Sequence, residues 1–124
     1  MTGLSFTIPG APRTSKNHTW RTKAGHQMPS KAYMEWDRQA IVLCLLAKMH
    51  LGRSKFPVRA EVNCCALFYR EALTGDAVGY YQALADTLEK AGIVENDRLI
   101  VSWDGSRVLK DAKNPRVEVT LESV

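Results

Sequence analysis

Apolar and polar residues alternate over Leu4-Ser5-Phe6-Thr7-Ile8 and stop at Pro9-Gly10, which predicts a half-buried strand ending in a turn. Further on the period changes. Tyr33, Trp36, Ala40, Ile41, Cys44, Leu45 and Met49 recur every three or four positions, with Ser30 as a capping residue before them and Gly52 as a stop after them. That spacing predicts a first helix. Period two returns at Val58, Ala60, Val62, Cys64, Ala66 and Phe68. The interleaved positions are polar at first (Arg59, Glu61, Asn63) and apolar later (Leu67). A long strand is predicted from Val58 to Tyr69, covered on both faces toward its end. After Thr74-Gly75-Asp76 a second helix follows, with Tyr81, Leu84, Leu88 and Ala91 on one stripe and Gln82, Asp86 and Glu89 on another, ending at Gly92. Two more strands are predicted at Leu99 to Trp103 and Val117 to Leu121, with Asp104-Gly105 as a turn and Arg107 to Leu109 resuming the pairing.

The order β-α-β-α-β-β predicts an α+β, or mixed α/β, fold in which a mixed sheet packs against two helices. A chain of 124 residues that is 45% apolar has material for one core, so residues 1–124 are expected to form a single domain. No apolar run approaches the ~18 residues of a membrane span, and Met1 to Phe6 lacks the features of a signal peptide. The expectation is a soluble, cytoplasmic protein. Three cysteines, Cys44, Cys64 and Cys65, are an odd count, and neighbours in a strand point to opposite faces. They read as small buried hydrophobes in a reducing compartment.

The net charge of +4 is modest, but its distribution is uneven. No acidic residue occurs from Met1 to Met34, while Arg13, Lys16, Arg21, Lys23 and Lys31 stand there with His18, His26 and Trp20. From Ala11 to Pro29 the chain has no sustained period and reads as a loop, a length that in a compact domain is either functional or disordered. A polyanion is the natural partner of such a segment. An ordinary solvated basic loop fits the composition as well.

There is no glycine-rich phosphate loop, no His-x-x-x-His pair and no Gly-x-Ser-x-Gly elbow, which leaves nucleotide hydrolysis and acyl transfer without support. The carboxylates remain. Asp76 and Asp97 flank the second helix, whose run from Tyr80 to Lys90 spans roughly 16 Å, and the six following steps reach about 20 Å when extended. The chain is therefore long enough to return Asp97 to the level of Asp76. Two adjacent carboxylates share a cation or a proton, and Mg²⁺ takes one or two carboxylates and fills its shell with water and phosphate oxygens. A helix cap at Asp76 and a turn residue at Asp97 are the alternatives.

The stretch Gly75-Asp76-Ala77-Val78-Gly79-Tyr80-Tyr81-Gln82, followed by Asp86-Thr87-Leu88, Ala91-Gly92 and Asn96-Asp97, resembles the signature of the RusA family: Asp-x-Asp-Asn-x-x-Lys, then Asp-Ala-Leu, Ala-Gly and Asp-Asp, at the same spacings. Ile8-Pro9-Gly10-Ala11-Pro12 with Ser15-Lys16-Asn17, and Pro115-Arg116-Val117-Glu118-Val119, are similar to the family's first strand end with its polar loop and to its closing strand. The similarity covers nearly the whole chain.

The resemblance implies a Holliday-junction resolvase: a homodimer that binds four-way DNA junctions and, with Mg²⁺ or Mn²⁺, cuts paired strands near the branch point in recombination, repair or phage DNA processing. It implies a cytoplasmic, nucleoid-associated setting. It places Asp76 and Asp97 as metal-binding, catalytic aspartates; the basic run, with Arg13, Lys16, Asn17, Arg21 and Lys23, is the expected DNA-binding set. Val78 stands where the family has its second aspartate, Gly79 where it has asparagine, and Gln82 where it has the catalytic lysine. A valine holds no metal, and glutamine lacks the charge that steadies a developing phosphorane unless Lys16 or Arg98 supplies it. Asp86 and Asp104 are the substitute ligands available in principle; as plain residues they are a helix-surface carboxylate and a turn former. The resemblance therefore supports two expectations, a Mg²⁺-dependent structure-selective endonuclease and a dimer that binds branched DNA without cleaving it. A third, an interaction protein on the same scaffold, has no motif behind it.

Overall fold

The computed structural model describes the backbone of residues 3–14, 20–28 and 30–124, with every side chain in those stretches but those of Trp20, Arg21 and Gln27. Strand β1 (Leu4–Pro9) opens the chain, and β2 (Trp20–Arg21) and β3 (Gln27–Met28) form a two-stranded antiparallel ribbon within the basic segment. The 11–29 stretch, expected to be irregular throughout, thus carries this ribbon, closed by Thr22 N donating to His26 O and Gly25 N to Thr22 O. Helix α1 (Lys31–Leu51) is capped by Ser30, whose Oγ accepts from Tyr33 N at 3.1 Å, and stops at Gly52, as the sequence predicts.

Strand β4 (Val62–Arg70) is shorter than the predicted run. Val58 continues the alternation but bridges instead to Val94, in parallel, with Val58 N donating to Ile93 O and Glu95 N to Val58 O. The hydrophobic period runs on while the pairing partner changes, so alternation alone overstates the strand. Helix α2 (Ala77–Lys90) follows, then β5 (Ile100–Ser102), β6 (Arg107–Lys110) and β7 (Arg116–Ser123).

These strands make a mixed sheet in the order β1-β7-β4, with β5 and β6 sharing the far edge of β4. β7 is antiparallel to both β1 and β4; β5 and β6 are parallel to β4, as crossovers through α2 require. In the gap between β5 and β6, Ser106 Oγ accepts from Ala66 N at 2.9 Å and donates to Cys64 O at 3.1 Å. One buried hydroxyl thereby satisfies two backbone groups that the interrupted ladder leaves open.

The core lies between the sheet and the helices. Ile8, Val62, Cys64, Ala66, Phe68, Val117, Val119 and Leu121 from the sheet meet Trp36, Ala40, Cys44, Leu84 and Leu88 from the helices. Burial of each large apolar side chain contributes ~1.5–3 kcal/mol. On the other face the odd-numbered residues of β4 are half-buried, Tyr69 beneath the Arg116 guanidinium at 3.8 Å from its ring centre.

Two members of the predicted α1 stripe do not join this core. Leu45 and Met49, with Val42 and Leu46, are between 46% and 57% exposed. The buried positions Tyr33, Trp36, Ala40 and Cys44 already use the three- and four-residue rows that face the sheet, and Val42, Leu45, Leu46 and Met49 form a second row on the outer side.

Candidate catalytic groove at the start of the second helix

Helix α2 begins at the end of β4 because the linking residues are tied in place. Arg70, the last residue of β4, donates from Nη1 to Thr74 O at 3.1 Å and to Gly75 O at 3.3 Å, and Tyr80 Oη donates back to Thr74 O. Gly75 has a φ of +79°, and a Cβ there would stand 2.8 Å from Tyr80 Oη, so this turn needs glycine on both counts. Asp76 then caps α2: its Oδ1 accepts from Gly79 N at 2.8 Å, while Oδ2 makes no hydrogen bond within the described residues.

Asp97 opens a 3₁₀ turn (Asp97–Leu99) after the helix. Its amide donates to Glu89 Oε1 at 2.9 Å, and its carboxylate makes no hydrogen bond within the described residues. Asp97 borders a groove of about 420 Å³ together with Val78, Tyr81, Gln82, Ala85, Ile100 and Trp103. Positions 78 and 82, one helical turn apart, thus share one groove with Asp97. Val78 is 65% exposed there, an unusual setting for a β-branched hydrophobe. Tyr81 and Trp103 stack with ring centroids 4.7 Å apart and planes within 5°. Phe68 lies behind Tyr81 at 5.8 Å.

Asp86 lies on the half-buried side of α2. Burial is the main cause that raises its pKa; Lys90 opposes the shift, and Asp97, Glu89 and Asp37 add to it. Asp86 therefore feels the charge of Asp97. Asp104 is outside the groove, where its amide donates to Asn63 Oδ1 at 2.8 Å and its carbonyl accepts from Asn63 Nδ2 at 3.1 Å, fixing the turn before β6. Among the described residues no group of three or more His, Cys, Asp or Glu side chains is placed to hold a metal ion. Arg98 does not stand in for the missing lysine: its amide and Nε both donate to Asn96 Oδ1, and it does not border the groove.

Of the basic set, Arg13 pairs with Glu71 at 2.8 Å across an exposed surface, and Lys23 is exposed in the turn of the β2–β3 ribbon. Lys16, Asn17 and His18 lie outside the described residues, as do the side chains of Arg21 and Trp20. Thr14 is buried against α2; a Cβ on Gly79 would meet its Cγ2 at 3.1 Å and Asp76 Oδ1 at 2.6 Å. Thr14, the last of the described residues 3–14, thus packs against the first turn of α2. A side chain at 79 would require Asp76 Oδ1 and Thr14 to shift, a crowding that the glycine avoids where the family motif has asparagine.

Residues 9–122 match the model of the family described as Endodeoxyribonuclease RusA. The chain belongs to the RusA endodeoxyribonuclease family. Family membership implies nuclease activity on Holliday junctions, binding to branched DNA and a dependence on metal. No curated protein matches the chain. None of the helices among the described residues is long and apolar enough to cross a membrane.

The Tyr81–Trp103 stack and the Thr14–Gly79 contact are absent from the sequence reading. Tyr81 has the spacing of a core residue, and Trp103 lies six positions after Asp97 at a strand end, so only the fold brings them to one wall.

Proposed function

We propose that this protein is a Mg²⁺-dependent, structure-selective endodeoxyribonuclease that cleaves branched DNA, acting as a homodimer in recombination, repair or phage DNA processing. The observation that carries the reading is the convergence of Asp97 with positions 78 and 82 on one groove, beside the helix that Asp76 caps. Three positions that the family motif aligns, 78, 82 and 97, border this one groove, although the side chains at 78 and 82 differ from the motif.

Of the two aspartates, Asp97 borders the groove and Asp76 caps the adjoining helix outside its lining; a hard cation there would be held by carboxylate oxygen and would complete its shell with water and DNA phosphate. The Asp97 carboxylate and Asp76 Oδ2 are uncommitted within the described residues, and Mg²⁺ is commonly held by one or two carboxylates. Mn²⁺ takes the same oxygen donors. When bound, such a cation supplies Lewis acidity toward the phosphodiester and lowers the pKa of an attacking water. The protein's own contributions are positional. The clamp from Arg70 to Thr74 and Gly75 fixes where Asp76 begins α2, and Gln82 offers amide donors in place of a lysine charge. Arg13 and Lys23, with Lys16, Asn17 and Arg21, would neutralise phosphates. The Arg13–Glu71 pair is exposed and worth at most ~1 kcal/mol, so Arg13 exchanges readily to a phosphate. A self-association surface is available in the outer row of α1, Val42, Leu45, Leu46 and Met49, which is apolar and spans two helical turns.

A second reading, binding without cleavage, is favoured by one observation: Val78 projects 65% exposed at the groove where a ligand carboxylate would be required. Incubating the protein with a labelled four-way junction across a Mg²⁺ or Mn²⁺ titration separates the two. Metal-dependent nicking supports the nuclease; retention of uncut junction at every metal concentration supports the second reading.

A further inference from the structure

The groove beside Asp97 has a chemistry that a metal site alone does not require. Its walls are mostly apolar, with Val78, Ala85 and Ile100 beside the parallel rings of Tyr81 and Trp103. Behind the stacked pair lies Phe68, its ring tilted 36° from Tyr81 at 5.8 Å and 32° from Tyr80 at 5.4 Å. Gln82 is exposed at the rim and makes no side-chain hydrogen bond within the described residues, leaving both a donor and an acceptor. Among the described residues that border the groove, Asp97 is the charged one, and none is a cation.

That combination selects among the parts of a nucleotide. A phosphate is repelled by Asp97 unless it arrives with a cation. A flat, uncharged heterocycle is favoured, because it gains ring contact with Trp103 and Tyr81, aliphatic contact with Val78, and edge hydrogen bonds from Gln82. The volume of about 420 Å³ lies within the range of small-ligand clefts.

We propose that this groove receives a single nucleobase turned out of the stack at the DNA branch, held between Val78 and the Trp103–Tyr81 pair and hydrogen-bonded along its edge by Gln82. The proposal rests on the DNA-junction reading. Fully paired duplex offers no free base, so the groove adds affinity for branched or unpaired DNA over duplex. Trp103 and Tyr81 then act in substrate selection, apart from the chemistry of cleavage, and Gln82 serves both. Base extrusion costs a few kcal/mol and is least costly where pairing is already broken, as at a branch.

The test uses the full chain in EDTA, so that cleavage and metal binding play no part. Affinities for a four-way junction and for a duplex of the same sequence are measured for the native protein, Gln82→Ala, Trp103→Ala and Trp103→Phe. Loss of one base stack predicts junction binding weakened roughly 5- to 100-fold by Trp103→Ala, with partial recovery in Trp103→Phe and duplex binding unchanged. Gln82 is exposed, so Gln82→Ala keeps the fold and weakens junction binding alone. In parallel, junctions carrying 5-iodocytosine or 5-iodouracil next to the branch are irradiated, and the crosslinked peptide is identified; crosslinks to Trp103 or Tyr81 support the proposal. Equal weakening on junction and duplex, or crosslinks confined to other residues, overturns it while leaving DNA binding intact. A native protein that binds neither DNA overturns the junction reading, and the proposal with it.

Discussion

The Asp76 carboxylate accepts the Gly79 amide at 2.8 Å, so the residue matched to the family's first metal-binding aspartate is also the cap of α2. The cap uses Oδ1 and leaves Oδ2 without a hydrogen bond among the described residues, free for the proposed cation. The two roles separate by substitution. Asp76→Asn keeps the cap, since asparagine caps as well as aspartate, and Asp76→Ala removes it at ~1 kcal/mol. Chemical denaturation is expected to place Asp76→Asn within a few tenths of a kcal/mol of the native protein and Asp76→Ala about 1 kcal/mol below it. Both variants are expected to lose cleavage.

Val78 and Gln82 border the same groove as Asp97, so restoring the family's charges should restore its chemistry. The double variant Val78→Asp, Gln82→Lys is expected to cleave junctions faster than the native protein. The gain expected is on the order of 100-fold, the usual worth of one positioned stabiliser of transition-state charge. Single-turnover cleavage rates at fixed Mg²⁺ provide the check. Val78 is exposed, so the substitutions carry little cost to the fold.

The cysteines differ in burial. Burial pushes the thiols of Cys44 and Cys64 up to about 12, which keeps both protonated and unreactive at neutral pH. Cys65 is half-buried on the opposite face of β4. Native thiol titration is expected to label Cys65 first and alone, with all three reacting in denaturant.

Asp86 has a raised pKa, chiefly through burial and then, against the pull of Lys90, through Asp97, Glu89 and Asp37. The folded state therefore holds the proton more tightly than the unfolded chain, whose value is near 3.8. The resulting stabilisation is full below that value and is lost as pH rises through the folded value. Asp86→Asn is expected to flatten this part of the stability profile, as thermal melts across the acidic range would read. It also removes a negative charge felt by Asp97.

The outer row of α1 offers a direct check on self-association. Leu46→Glu places a charge in the exposed apolar surface without touching the core. Sedimentation velocity is expected to show the native chain as a dimer and the variant shifted to monomer.

Much of the fold was legible because its elements carry their own punctuation. Ser30 and Gly52 bound α1, Asp76 opens α2, and the alternations at Leu4–Ile8 and Val117–Leu121 give β1 and β7. The miss at Val58 came from pairing: the same alternation served two different neighbours, and only the fold says which. The miss at Leu45 and Met49 has a similar cause, since apolar residues on two helix rows read as one broad stripe until the sheet chooses a side. The groove was half legible. Spacing pointed to Asp76 and Asp97, while the Tyr81–Trp103 wall joins residues 22 positions apart through a strand crossover that no local pattern encodes. The close approach of Thr14 to Gly79 joins residues 65 positions apart, which no local pattern encodes.

The most direct test of the account is cleavage of an end-labelled, mobile four-way junction in Mg²⁺ by the native protein, compared with Asp97→Asn and with a linear duplex of the same sequence. The account predicts paired nicks at the branch that need both the metal and Asp97, with the duplex left intact. Nicking that persists at the native rate in Asp97→Asn, or that strikes the duplex equally, would contradict it.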